Sequence, residues 1–446
     1  MKRIKCITLC LALTLLAGCS ASPAQTSVTE GTTTAAPSET TAGTSVSETE
    51  APKEEEPSLK AYFGSDKGFE GKAGVCVSEK STYTPEVMDL VYREYNSITC
   101  ENEMKPESIL GRSPKFSDQT DEFGDRIPVL DFSRADSVLK VIKKHNDADP
   151  DHKIAVRGHV LVWHSQTPGW FFKEGYSSGG KFVSKEQMLK RMEWYIKSVM
   201  EHFDGPDAEY KGMIYAWDVV NEQIEPADYN EEKNPDRIRF YMNGEETGYY
   251  SVFQGDISYI TNAFVFANKY APADVKLFYN DYSEDDKIKC KYICKLLEAI
   301  KSTPGARIDG MGMQGHYGSW TSVAGVEAAL RNYAAAVGEV QITELDMQTP
   351  EGYKGETDEE IAKEFERQAQ FYKELFDMLS KVDKEDGIDV SAATFWGTHD
   401  TVSWLKSASA VGGGATGARK QEPLLFDGDL KPKPAYYRIL GLEEKK

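Results

Sequence analysis

Between residues 74 and 396 a short apolar run recurs eight times, and a stretch of helical periodicity separates each run from the next. The runs fall at 74–77, 95–99, 154–158, 213–220, 275–280, 310–314, 340–344 and 392–396. Runs of this length that stay apolar suit strands buried on both faces of a parallel sheet. The clearest helix between them is 185–203. There Met188, Leu189, Met192, Tyr195, Ile196, Val199, Met200 and Phe203 form one stripe, behind the capping-box pair Ser184 and Gln187. Another helix begins at Thr357, with Glu360 three residues on. Eight βα units in sequence predict an α/β protein, a (β/α)8 TIM barrel. Residues 58–446 would form this single domain, long for the fold but within the range of barrels that carry insertions.

Barrels of this kind place their chemistry at the C-terminal ends of the strands. The fourth run, from Met213 to Val220, ends in Asn221 and Glu222. Successive strand residues point to opposite faces, so both can face one ligand only where the strand has ended or bulged. In the seventh run Val340, Ile342 and Glu344 share a face, which puts Glu344 at the mouth of whatever the other two fill. Two glutamates at the ends of two parallel strands suit a retaining glycosidase, whose carboxyl groups stand about 5–5.5 Å apart. Other strand ends are similarly polar or aromatic. The second runs into Glu101-Asn102-Glu103-Met104-Lys105, the third into His159, Trp163, His164 and Gln166. The fifth gives Asn280-Asp281-Tyr282, the sixth Gln314-Gly315-His316, and the eighth Trp396 followed by Asp400 and Trp404. Taken singly, the histidines read as core residues, the tryptophans as packing and Lys105 as a partner for Glu101. Their collection at one rim argues for a site.

The chain has 446 residues, 72 of them acidic and 52 basic, for a net charge of −20. That balance argues against a nucleic-acid partner, which needs a basic face, and suits action on a neutral polymer. Aromatic residues make up 11%, compatible with stacking on sugars. A metal-dependent hydrolase built on His159, His164, Glu344 and Asp346 is the rival enzyme. No His-x-His or His-Glu-x-x-His pattern supports it, so no metal or cofactor is expected. A non-catalytic glycan binder would not need both glutamates.

These stretches resemble the family ten glycoside hydrolases, the endo-β-1,4-xylanases. The resemblance rests on 101–105, on Arg157-Gly158-His159 with 162–166, on 217–222, 280–282 and 314–316, on 342–346 and on Phe395-Trp396-Gly397. Pro423-Leu424-Leu425-Phe426-Asp427 and Lys433-Pro434-Ala435-Tyr436 extend it. It implies Glu222 as acid/base and Glu344 as nucleophile in retaining hydrolysis of internal xylan bonds. Glu101, Asn102 and Lys105 would grip the sugar before the cleaved one. His159, Trp163, Asn221 and Gln314 would surround the cleaved sugar, and Tyr282 would also touch substrate. His316 would hold Glu344 charged, while Trp396 and Trp404 would roof the cleft. A glucan remains the rival substrate of the same chemistry.

Lys2, Arg3 and Lys5 precede an apolar run over 7–17, a secretory signal too short to span a membrane stably. It ends in Leu16-Ala17-Gly18-Cys19, which resembles a bacterial lipobox. Removal of 1–18 would leave Cys19 lipidated and the enzyme secreted, extracellular and anchored at the cell surface, as a monomer. Residues 19–57, rich in Ser, Thr, Pro and Glu, lack the apolar surface to fold and read as a tether. Cys76 and Cys100 end neighbouring predicted strands and could bond, but free thiols are expected for them and for Cys290 and Cys294. Two loops stand out. Residues 223–255, with Tyr229, Tyr241, Tyr249 and Tyr250, read either as a wall on the product side of the cleft or as a packed surface loop. The glycine-rich 411–417 lacks a Gly-Lys-Ser/Thr ending and reads as a rim loop rather than a phosphate loop.

Overall fold

The computed structural model describes residues 57–66, 68–406 and 419–444. The signal segment, Cys19, the tether up to residue 56 and the 411–417 glycine run lie outside those residues. The eight expected strands are present, with ends within three residues of the sequence reading. They are β1 (Lys72–Val77), β2 (Ser97–Cys100), β3 (Ala155–Gly158), β4 (Ile214–Asn221), β5 (Lys276–Asp281), β6 (Gly310–Met313), β7 (Glu339–Met347) and β8 (Asp389–Phe395). Each pairs in parallel with its neighbours, and β8 pairs with β1, so the sheet closes into a barrel with no free edge. Tyr95, read as strand, instead caps the preceding helix Pro85–Glu94.

A helix packs outside after each strand. The Lys185–Asp204 helix buries the predicted stripe from Met188 through Phe203, with Leu189 at its half-buried margin. Each large apolar side chain buried this way contributes about 1.5–3 kcal/mol. Only half of the predicted capping box forms. Ser184 Oγ accepts from the Gln187 backbone N–H at 3.1 Å, but the Gln187 amide turns away to donate to Asp125 at 2.9 Å. Thr357 likewise caps the Glu360 N–H at 3.2 Å, while the Glu360 carboxylate takes the N–H groups of Lys354 and Glu356. Cys76, Cys100, Cys290 and Cys294 are free thiols.

Inside the barrel a charged cluster replaces part of the usual aliphatic filling. Arg157, 1% exposed, donates to both oxygens of Asp218 and, through Nε, to Gln341 Oε1 at 2.8 Å. Asp218 also accepts from His159 Nδ1 at 2.8 Å, which links the barrel interior to its C-terminal rim. Gly158 lies between them against the Trp217 indole. A Cβ there would fall 2.3 Å from two ring carbons, and neither the ring nor the sheet can yield. Gly158→Ala is therefore expected to cost about 1–3 kcal/mol in chemical denaturation. Gly179→Ala, where nothing lies within 4 Å, is expected to stay within about 0.5 kcal/mol of the parent.

Candidate active site

The strand ends meet around a cavity of about 660 Å³ at the C-terminal rim. Every residue singled out as catalytic or substrate-binding lines it: Glu101, Asn102, Lys105, His159, Trp163, Asn221, Glu222, Tyr282, Gln314, His316, Glu344, Trp396 and Trp404. The two glutamates reach it through local breaks in strand regularity. The β4–β5 register shifts beside Val219, β4 ends at Asn221, and Glu222 adopts a left-handed φ of 57°. Asn221 and Glu222 thereby face one space. The β7–β8 register shifts between Ile342 and Leu345, the stretch that carries Glu344.

A relay of neutral amides joins the two carboxyl groups. Glu222 Oε1 accepts from Asn221 Nδ2 at 3.1 Å and from Gln314 Nε2 at 3.0 Å. Asn280 Nδ2 donates to Asn221 Oδ1 at 2.9 Å and to Glu344 Oε1 at 2.8 Å. The Asn280 carbonyl in turn accepts from Thr343 Oγ1 at 2.6 Å. Glu222's backbone is clamped as well. Its N–H donates to Asn280 O at 2.9 Å, and its carbonyl accepts from Arg239 Nε at 3.0 Å. Holding both backbone groups keeps a non-glycine residue in a conformation it seldom adopts.

The charges around the two carboxyls differ. Glu344 is buried, and burial alone would push its carboxyl up. The hydrogen bond from His316 and the positive charges of His159, His316 and Lys105 outweigh that and hold it at about 2. His316 is the key donor. Burial would lower its pKa, but Asp346 at 3.0 Å and Glu344 at 3.3 Å raise it to about 10. Trp404 Nε1 donates to the other Asp346 oxygen at 2.8 Å, which fixes that carboxylate. His164 approaches Glu222 at 3.9 Å, yet burial together with Arg239 and Lys289 pushes its pKa well down and leaves it neutral. Burial raises the Glu101 carboxyl, with Lys105 opposing and Glu103 adding to it.

The simple readings of Lys105, His159 and His316 do not hold here. Lys105 does not pair with Glu101; its ammonium lies 5.0 Å from the Trp163 ring centre and 3.4 Å from Asn102 Oδ1. His159 and His316 bind carboxylates rather than backbone. Three contributors were not assigned a role from sequence. Asn280 stood in a quoted motif without one. Asp218, a charge within an apolar strand, carried a usable signal, since a buried carboxylate needs partners. Arg239 carried none: it lies in the 223–255 loop and reaches Glu222, Glu225 at 2.9 Å and the Tyr282 hydroxyl at 2.7 Å only through folding.

Because Glu344 is depressed, its contribution to stability is present above the ordinary carboxylate range and lost as pH falls toward about 2. That of His316 is present below its ordinary value and lost as pH rises through about 10. Replacing His316 by Asn is expected to raise the Glu344 pKa by about 1–3 units, read by ¹³C NMR of carboxyl-labelled glutamate. An unmoved Glu344 titration would contradict this assignment of the donor.

The chain resembles known glycoside hydrolases over nearly all the described residues. The model for glycosyl hydrolase family 10 matches residues 60–442. Endo-1,4-beta-xylanase Y of Acetivibrio thermocellus is 33% identical over 385 residues, 83% of this chain and 31% of that protein. The chain thus spans about a third of the length of that relative, and 30% of endo-1,4-beta-xylanase A of Thermotoga maritima. Endo-1,4-beta-xylanase B of Paenibacillus barcinonensis is 32% identical, with 86% of this chain and 98% of that protein covered. Among solved structures, the CBM22-1–GH10 modules of Clostridium thermocellum xylanase 10B, complexed with xylohexaose, superpose with a TM-score of 0.68. That match has 33% identity and covers 86% of this chain and 67% of the other. The endo-1,4-beta-xylanase of Caldicellulosiruptor owensensis gives a TM-score of 0.66 at 31% identity, covering 86% of this chain and all of the other. With a closed barrel, a polar cleft at its C-terminal rim and a family match across the body, the chain belongs to glycosyl hydrolase family 10.

Proposed function

We propose that the protein is an endo-1,4-β-xylanase that cleaves internal β-1,4-xylosidic bonds with retention. The observation that carries this reading is the amide relay from Glu222 to Glu344, with an ionised carboxylate at one end. Glu344, held charged by His316, attacks the anomeric carbon of the bound sugar. Glu222 gives its proton to the departing glycosidic oxygen as that bond breaks. The product is a glycosyl ester on Glu344, whose negative charge is gone. Glu222, now ionised, takes a proton from water, the water oxygen attacks the anomeric carbon, and Glu344 leaves as carboxylate. Asn221 and Gln314 donate neutral amide N–H groups to Glu222, which do not demand a permanent charge on their acceptor.

Asn221 is also placed for the sugar 2-hydroxyl, a contact expected to strengthen in the transition state. Glu101, Asn102 and Lys105 would hold the preceding sugar, His159 and Trp163 the cleaved one, and Tyr282 the departing side. Trp396 and Trp404 would cover the cleft. We read the Leu16-Ala17-Gly18-Cys19 stretch as a lipoprotein signal that anchors a monomeric, secreted enzyme at the cell surface through Cys19.

The test is digestion of linear xylan and of soluble β-glucan, with products sized over time. Mixed-length oligomers early in xylan digestion are expected, and Glu222→Gln should slow their release by about 10²- to 10⁴-fold. Faster cleavage of β-glucan would move the substrate to a glucan, and release of monomers alone would exclude internal cleavage.

A further inference from the structure

A cavity as large as the cleft, about 660 Å³, opens at the opposite end of the barrel, where β1, β3 and β4 begin. That end of such a barrel ordinarily serves stability alone. Here it carries charge that stability does not call for. Four lysines line the cavity, Lys72, Lys143, Lys153 and Lys211, against two carboxylates, Asp147 and Glu209. In a chain of net charge −20 this local excess of cations runs against the trend.

The lysines are only partly neutralised. Lys143 pairs with Asp147 at 2.7 Å, one turn along the Ser133–Ala148 helix, and Lys211 reaches the Pro206 carbonyl at 3.4 Å. Lys72 and Lys153 make no hydrogen bond or ion pair among the described residues. Lys72 is the first residue of β1 and half-buried, its ammonium 5.2 Å from the centre of the Tyr215 ring. Burial pulls its pKa down, and no carboxylate offsets that. A bound anion would supply the missing partner. The walls are fixed in place. Asn146 Oδ1 accepts the Ile154 N–H at 2.8 Å and its Nδ2 donates to the Ile154 carbonyl at 2.9 Å, which ties the helix to the approach of β3. Ser97 Oγ donates to the Tyr215 hydroxyl at 3.4 Å and steadies the ring.

The lining also limits which anion fits. Asp147 and Glu209 would repel a compact dianion such as phosphate, yet they accept hydrogen bonds from hydroxyls. Tyr215 is half-buried and gives the cavity an aromatic surface for the C–H face of a ring. A neutral sugar would leave Lys72 and Lys153 unpaired. One carboxylate, several hydroxyls and an apolar ring face together meet all three demands.

We propose that this cavity is a binding site for a uronic acid, its carboxylate drawn to Lys72 and Lys153 and its hydroxyls to Asp147 and Glu209. The site is separate from the cleft and from the reaction proposed above. The test is calorimetric titration of the protein with D-glucuronate, D-glucose and inorganic phosphate. One glucuronate should bind per chain, more weakly as salt rises, with glucose and phosphate about tenfold weaker. Lys72→Gln should weaken glucuronate about tenfold, the worth of one hydrogen bond to a charged group, and leave cleavage of xylohexaose unchanged. Lys153→Gln, on an exposed wall, should weaken it about two- to fivefold, and serves if Lys72→Gln does not fold. Methyl β-D-glucuronoside separates the two sources of such an acid. Binding as tight as that of glucuronate assigns a uronate carried in a glycan; loss of binding assigns the free sugar acid. No saturable heat with glucuronate, or an affinity untouched by both substitutions, overturns the proposal. So does glucose or phosphate bound as tightly as glucuronate, or displacement by xylotriose, which would put the acid in the cleft.

Discussion

Asn280 has two amide protons, and each goes to a different strand. One meets Asn221 on β4, next to Glu222; the other meets Glu344 on β7. Its carbonyl takes the hydroxyl of Thr343, so all its polar atoms are engaged in fixing one spacing. The side chain can span β5 to β7 only because the strand between them carries Gly312. A Cβ at that position would lie 2.3 Å from Asn280 Oδ1. A hydrogen bond of this kind adds only about 0.5–1.5 kcal/mol to stability. Its larger effect is geometric, because Glu344 and the Asn221 that neighbours Glu222, far apart in sequence, are held by one side chain.

Around that side chain the barrel assembles charges that could not be buried singly. Arg157, Asp218 and His159 form a paired cluster within the barrel, and His316 stands between Glu344 and Asp346. Removing one member of such a cluster leaves an unpaired buried charge, far costlier than never having buried the pair. The result is an asymmetry. Glu344 accepts from His316 and from the Asn280 amide and feels the charges of His159 and Lys105, whereas the Glu222 carboxyl accepts from the amides of Asn221 and Gln314, with the Arg239 guanidinium on its backbone carbonyl. Two carboxyls of the same chemistry thus sit in different surroundings.

The barrel was legible because its strands are short, apolar and regularly spaced by helices. The rim was legible because strand ends must carry the polar groups that the strands cannot. Glu222 and Asn221 show how far this goes: one ligand for both required a break in β4, and the φ of 57° at Glu222 is that break. Arg239 shows where it stops. Nothing in residues 223–255 marks one arginine as the clamp on Glu222, because that contact depends on how an irregular loop returns to the strand it left. The same holds for the four tyrosines of the loop, of which Tyr241 alone lines the cavity. Helix caps were half legible. The Ser184 and Thr357 hydroxyls cap as expected, but the longer Gln187 and Glu360 side chains found partners the local pattern could not reveal.

We propose that Glu222 and Glu344 act across one sugar ring as proton donor and nucleophile. The configuration of the first product tests it most directly. Proton NMR of the reducing end, recorded during the first turnovers on a xylo-oligosaccharide and before mutarotation, should show the β-anomer forming first. An α-anomer at the outset would mean direct attack by water between carboxyls about 6.5–9.5 Å apart, and would contradict the account.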